Sequence, residues 1–428
     1  MRPPPNPRTR RLRRLAKLTA MLTQLLDLLD LLDKLESLAK HTRPKHRSTL
    51  IRRDRRSWAV YSEPILADGS FRPSFRMGHD EFIVLVDMLR PELERNPHMG
   101  RLRNGALPVE YQVGNTLRWL AGGEMHDIKQ GHVIAKSTAY QTAARVMKAI
   151  NACKELDCRW PKNQTEFASI AEGFRDRSTN GVMAKCVGAM DGLFIRMTRP
   201  ISRDTHEPNS FYSGHKKGFG MNFQAICDAQ YRIRAWTMNC PGSQNDRTAF
   251  KVSGFPKLLE GLPKGYYIVG DAAYPGSDVV LVPYPGIKVS ESQDALNYYL
   301  SQCRIAIEQT FGILVRTWGI LWRPLEVRLG SVAPLVESLV RLHNFCRDQR
   351  VDVPTEEAGG VRMPSNIGFT PTGEFSNDFF NTEPSPMGRP AGNQGRVSAP
   401  RENIRRQLEQ LGMGRPAHNI ARNSDRGR

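Results

Sequence analysis

Three carboxylates stand where phosphodiester chemistry could use them: Asp191, Asp271 and Glu308. Asp191 interrupts the apolar run from Cys186 to Met197 in KCVGAMDGLFIRM, which reads as a buried strand. An ionised carboxylate there is costly unless a cation or hydrogen-bond donors pair with it. Asp271 follows the short strand Tyr266 to Val269 in GYYIVGDAAYP, at the strand end where α/β sheets usually carry their sites. Glu308 lies beside the stripe Leu296, Leu300, Cys303, Ile307, Phe311, Leu314 and Trp318, whose steps of three and four predict a long amphipathic helix. Arg304 stands one turn earlier on the same face. Each acid also has an ordinary reading: a turn Asp before Gly192, a loop-capping Asp, and an Arg304–Glu308 surface pair of little energetic worth. In combination, two strand-end Asp residues and a helix Glu could gather around divalent metal. Mg²⁺, with Mn²⁺ as a substitute, prefers such oxygen ligands. Two ions about 3.5–4 Å apart can activate a water or 3′-hydroxyl and steady the leaving oxygen.

The rest of the chain suits a polyanionic substrate. Its 428 residues hold 62 Lys and Arg against 43 Asp and Glu, a net charge of +19, with a pI near 9.9. Neutralising phosphates releases counterions, so nucleic acid is the expected partner; basic ends that merely stay in solvent are the plainer alternative. The seven cysteines are scattered and form no CxxC pair, which argues against zinc ribbons and secreted disulfide scaffolds and for reduced thiols. No apolar run is long enough to span a membrane. Asp27, Asp30 and Asp33 break the leucine run after the Arg-rich start, which argues against a secretory signal. No P-loop, H-E-x-x-H or G-x-S-x-G signature occurs, which removes the commonest NTPase, zincin and serine-hydrolase readings.

The elements that must position the acids follow in order. Residues 1–14 read as a basic disordered arm suited to nuclear import or DNA contact. Residues 15–40 read as a leucine-rich helix with Leu15, Leu18, Leu22, Leu25, Leu29 and Leu32 at coiled-coil spacing, which implies self-association or packing on the rest of the chain. Residues 41–75 read as a basic, irregular linker. Residues 76–152 read as helical: Phe82, Leu85 and Leu89 share a face that Pro91 ends, and a second helix runs from Pro108 to Gly122–Gly123. A short helix at Met125–Gln130, a turn through Gly131 and a longer helix capped by Ser137 complete a helix-turn-helix layout. On the longer helix Ala139, Ala143, Val146, Met147 and Ile150 face inward, with Thr142 and Lys148 outward. Lys136, Thr138, Gln141 and Arg145 are the candidate DNA contacts; a plain helical bundle fits the same pattern. Asn163 with Glu166, and Ser290 with Gln293, are placed to cap the two helices that bracket the acids.

These motifs resemble the PIF/Harbinger transposase superfamily and its nuclease relatives. The resemblance runs from about Phe75 to Cys346 through RWPKNQTEFASIAEGF, VGAMDGLFI, FYSGHKKGFGMNFQAICD, PGSQNDRTAF, GDAAYP, the N-x-x-L-S-x-x-R-x-x-I-E-x-x-F-G-x-L run from Asn297, and RLHNFC. It implies an α/β, RNase H-like mixed sheet flanked by helices, with Asp191, Asp271 and Glu308 as a DDE triad on metal. It also implies a helix-turn-helix before the core and a Myb-like partner protein. Asp246 matches a recurrent acidic position near the catalytic centre, and a structural loop role stays open for it. The basic turn His215, Lys216 and Lys217 is a further candidate for DNA backbone contact, or else a solvated hairpin. Leu193 and Phe194 stand where many relatives carry Thr-His, and Ala273 stands where a glycine is usual. The leucine helix has no counterpart that can be placed.

The expected layout is therefore an arm, the leucine helix, a linker, the helical DNA-binding region, a nuclease core over 153–350 and a largely disordered tail over 351–428 with a short helix near Glu402–Leu411. The expected function is cleavage of DNA in the nucleus by two-metal catalysis, with strand transfer as a further step. The alternative is a domesticated, catalytically silent DNA-binding adaptor, and a weaker one is an RNA-directed nuclease of the same fold class.

Overall fold

The computed structural model describes residues 15–25, 27–29, 31–32, 57–94, 106–286, 289–349 and 398–416. The chain divides into two compact units, Met1–Arg52 and Arg53–Arg428. In the first, the described residues between 15 and 32 are helical. Leu15, Leu18, Leu22, Leu25, Leu29 and Leu32 all keep more than half of their surface exposed, from 53% to 63%. The arm at 1–14, residues 41–56 of the expected linker and the tail over 351–397 lie outside the described residues.

The second unit opens with helices. α1 (Trp58–Ala67), α2 (Phe71–Phe75) and α3 (His79–Leu93) precede α4 (Val109–Leu120), α5 (Met125–Gly131) and α6 (Lys136–Ala152). The helices α1 and α2 fall where an irregular linker was expected. Their basic flanks hide an aromatic cluster: Trp58 stacks on Phe82 with centroids 5.1 Å apart and meets Tyr111 edge-on at 5.3 Å. Rings of this size bury enough apolar surface to order short helices. Pro91 does not end α3 but sits in its last turn, where its missing N–H costs the helix only one bond. Ser137 is not the cap of α6: the helix already begins at Lys136, after Ala135 in extended conformation. Thr142, expected outward, is buried at 2% exposure.

A six-stranded mixed sheet follows. Its strands are β1 (Cys186–Arg196), β2 (Tyr212–Ser213), β3 (Gly218–Cys227), β4 (Ile233–Pro241), β5 (Tyr267–Val269) and β6 (Val280–Leu281). The central order is β4-β3-β1-β5-β6, with β2 paired to the start of β3. β3 runs antiparallel to its neighbours β1 and β4, whereas β5 and β6 run parallel to β1. Strand order and directions fit an RNase H-like sheet. β1 is buried from Cys186 to Met190, as a central strand covered on both faces must be.

Helices flank this sheet. α7 (Gln164–Arg177) and the 27-residue α10 (Glu291–Thr317) both pack on β1. Between them in sequence lie α8 (Asp246–Val252) and α9 (Phe255–Glu260). The sequence caps hold. Asn163 Oδ1 accepts from the Glu166 N–H at 2.9 Å, and Ser290 with Gln293 forms a reciprocal capping box. α11 (Leu329–Asp348) carries the RLHNFC motif, whose Asn344 serves the edge strand. Asn344 accepts from the Ile233 N–H at 2.9 Å and donates to the Ile233 carbonyl at 2.8 Å, so a carboxamide replaces a missing strand neighbour. α11 also ties the helical region down, because Ser338 donates to Asn151 Oδ1 of α6 at 2.9 Å. The short C-terminal helix is present as α12 (Ala399–Gln410), packed on α10. All seven cysteines are free, and five are buried. No described helix is long and apolar enough to cross a membrane.

Candidate active site

Strand register brings two of the acids together. Ala189 of β1 pairs with Val269 of β5 in parallel. Two residues beyond that pair stand Asp191 on β1 and Asp271 just past β5. Neighbouring strands lie about 4.8 Å apart, so the two carboxylates share one edge of the sheet. Burial, and then the repulsion of Asp271, hold the Asp191 carboxyl well above the usual carboxylate range, with Arg304 acting against them. Burial and then the Asp246 carboxylate raise Asp271 in the same sense. Each accepts a local backbone donor: Gly192 N–H at 2.8 Å for Asp191 and Ala273 N–H at 2.8 Å for Asp271.

The third acid arrives on α10. Arg304 Nη1 lies 2.8 Å from Glu308 Oε1 and 3.6 Å from Asp191 Oδ2. One guanidinium nitrogen therefore joins the helix acid to the strand acid. The expected i,i+4 pair is present, but the spacing alone gave no sign of its second arm to β1.

Asp246 is the fourth carboxylate. It begins α8 and leans over β1, where the absence of a side chain at Gly192 makes room: a Cβ at 192 would lie 3.0 Å from the Asp246 Cγ and closer still to Oδ1. β3 holds it in place. Asn222 Nδ2 donates to Asp246 Oδ1 at 2.9 Å, and Gln224 Nε2 donates to the Asp246 carbonyl at 2.9 Å. Gln224 is fully buried and opposite Gly192 in the register. The side-chain oxygens of Asn222 and Gln224 and the Tyr274 hydroxyl are buried without hydrogen-bond partners among the described residues. The field of Asp246, Asp191 and Asp271 reaches Tyr274, whose hydroxyl is pushed up by burial first and these carboxylates next.

The basic turn reaches the same place. His215 and Lys217 are exposed, but Lys216 is half-buried. Burial lowers its ammonium's pKa, while Asp246 and then Asp191 pull it back up. The sequence had marked this turn only for DNA backbone contact; its placement beside the acids comes from the hairpin joining β2 to β3. On α6, Lys136 and Gln141 are exposed and Thr138 is half-buried. Arg145 is half-buried and donates to Gln112 Oε1 at 3.0 Å.

The donor set suits a hard divalent cation. Against the four carboxylates Asp191, Asp271, Asp246 and Glu308 stand the cations Arg304 and Lys216 among the described residues, so carboxyl groups are in excess. The contrast with Asp228 is informative. That acid is fully buried, yet Arg234 pairs with it at 2.7 Å and the Gln230 and Arg232 N–H groups donate to it, which makes it structural. The acids around Asp191 lack such satisfaction. As placed, no three His, Cys, Asp or Glu side chains among the described residues are close enough to grip one ion.

Residues 190–344 match the family described as DDE superfamily endonuclease, a span that contains all four acids. The chain is also 26% identical over 299 residues to "Protein ALP1-like" of Arabidopsis thaliana, covering 65% of this chain and 71% of the relative. No solved structure matches the chain.

Proposed function

We propose that the protein, whose residues 190–344 match the DDE superfamily endonuclease family, cuts DNA phosphodiester bonds as a transposase-type nuclease. The observation that carries this reading is the placement of Asp191 and Asp271 at one level of adjacent parallel strands, with Glu308 joined to Asp191 through Arg304. Asp191 and Asp271 would hold divalent metal, with Mg²⁺ the expected ion, and Glu308 would complete the set. A bound ion supplies charge neutralisation at the scissile phosphate and a nucleophile reactive at neutral pH. The protein's own part is to hold these carboxylates together, exclude competing water and orient the phosphate, with Asp246 braced by Asn222 and Gln224. Lys216, which feels the charges of Asp246 and Asp191, would meet substrate phosphate, and +19 of net charge favours its approach.

Further parts of the reading rest on less. α5 and α6 would serve as a helix-turn-helix using Lys136, Thr138 and Gln141 on DNA, supported by their layout and exposure. Nuclear residence follows from a DNA substrate and the Arg-rich start. The bare leucine face of residues 15–32 would pair with a second copy of the chain. A Myb-like partner, and the division into helical region and core near residue 152, are carried from the resemblance alone.

The silent adaptor has one observation in its favour: Arg304 already neutralises two of the acids. Supercoiled plasmid incubated with the full chain and Mg²⁺ or Mn²⁺ separates the readings. Nicking by wild type and its loss in Asp191→Asn support the nuclease. Equal nicking by both, or none by wild type, supports the adaptor.

A further inference from the structure

We propose that Arg304 is a built-in substitute for the divalent cation: it holds the acid cluster together and must leave it when metal loads. The inference rests on the metal-dependent reading above, and it concerns how the resting site is kept from the metal-bound arrangement.

A plain helix-surface pair would need only Glu308, one turn away on α10. Arg304 goes further. The same Nη1 that sits 2.8 Å from Glu308 lies 3.6 Å from Asp191, a residue of another element with only 17% of its side-chain surface exposed. Asp191 carries the burden of burial and of the Asp271 and Asp246 charges, and Arg304 is the first opposing charge it feels. The other nearby cation, Lys216, is itself desolvated and is drawn more strongly to Asp246 than to Asp191. A positive charge at Arg304 therefore offsets the repulsion that divalent metal would otherwise relieve. It also competes for the same oxygens: a divalent ion ligated by Asp191 and Glu308 would sit against the guanidinium that contacts both. Two like charges cannot share that space cheaply in a half-buried site. Loading therefore requires the guanidinium to release both carboxylates, and a long, flexible side chain that is 28% exposed can swing outward to do so.

Mn²⁺ binding to the metal-free full chain tests this, read by calorimetry and by the paramagnetic signal of free Mn²⁺. Arg304→Gln is expected to bind Mn²⁺ on the order of tenfold more tightly than wild type. Its melting temperature should be lower without metal and should rise more on adding Mn²⁺. Affinity equal to or weaker than wild type, or no binding by either protein, overturns the proposal. Asp191→Asn distinguishes the two levels of failure. If it abolishes binding while Arg304→Gln gains nothing, the metal site stands and the substitute role falls. If it binds as wild type does, the metal reading itself is wrong. Should Arg304→Gln fail to fold, wild type alone decides. A dicarbonyl reagent that labels free guanidinium groups should modify Arg304 faster with Mn²⁺ than without, by peptide mass spectrometry. An unchanged rate overturns the proposal.

Discussion

Gly192 and Asp246 compete for the same space, and the site exists because Gly192 yields it. A side chain at 192 would drive into the Asp246 carboxylate, so the glycine after Asp191 permits a close approach rather than a turn. Gly192→Ala should leave the fold intact but push Asp246 away from Asp191. A displacement near 1 Å at a catalytic centre costs roughly 100-fold. Plasmid nicking should fall by about that factor, with a melting temperature close to wild type. Full activity in a folded Gly192→Ala protein would show that Asp246 is a loop residue with no part in the site.

Asn222 supplies the donor that holds the Asp246 carboxylate. Hydrogen bonds to charged groups contribute about 1.5–3 kcal/mol when buried, and partial exposure here argues for roughly 1 kcal/mol. Asn222→Ala should lose about that much in denaturant unfolding and should also lower nicking. Asn222→Asp should be worse, because it sets a second carboxylate against Asp246, and its defect should shrink in acid.

His132 lies in the turn between α5 and α6, with its ring against Tyr61 at 4.3 Å and Tyr111 at 5.1 Å. It is 3% exposed, and neither ring nitrogen has a hydrogen-bond partner among the described residues. Burial first, and then Arg118, push its pKa from 6.5 down to about 4. The folded state therefore resists protonation more than the unfolded chain does. The resulting stability is fully present above pH 6.5 and is lost as pH falls towards 4. That loss is on the order of 3 kcal/mol. His132→Phe should flatten part of the acid decline in unfolding free energy. The remainder belongs to groups such as the buried His343, which is shifted in the same direction to about 4. An acid profile identical to wild type would refute the assignment.

The leucine helix offers an independent test. Leu22 and Leu25 are 63% and 59% exposed on one stripe. If two copies cover that stripe, Leu22→Asp with Leu25→Asp should weaken self-association by about 100-fold or more. Sedimentation should then give the monomer at concentrations where wild type is larger. Identical sedimentation of both proteins would remove the oligomer from the account.

What could be read from the sequence followed local rules. The strand around Asp191, the strand end before Asp271, the Ser290 capping box and the amphipathic α10 are each set by neighbours within a few residues. The contacts that build the site are not. Arg304 to Asp191 joins residues more than a hundred positions apart, and nothing in an i,i+4 spacing announces it. Lys216 reaches the acids only because β2 and β3 turn it back over β1. Thr142 looked polar and outward but is buried, since a small β-branched side chain fits a helix interface about as well as an alanine would. The helices at 58–67 and 71–75 were hidden by basic flanks, although Trp58, Tyr61, Phe71 and Phe75 together were a signal that a count of aromatics would have caught.

The central claim is that Asp191, Asp271 and Glu308 act as one metal-dependent unit, and single and combined substitutions measure it most directly. Asp191→Asn, Asp271→Asn, Glu308→Gln and the triple variant should each be shown folded and then assayed for Mn²⁺-dependent nicking of supercoiled plasmid. Residues that act as a unit are strongly non-additive. Each single variant should therefore lose about 1,000-fold or more, and the triple should be little worse than any one of them. Retained nicking in any of the three single variants, or losses that multiply in the triple, would contradict the account.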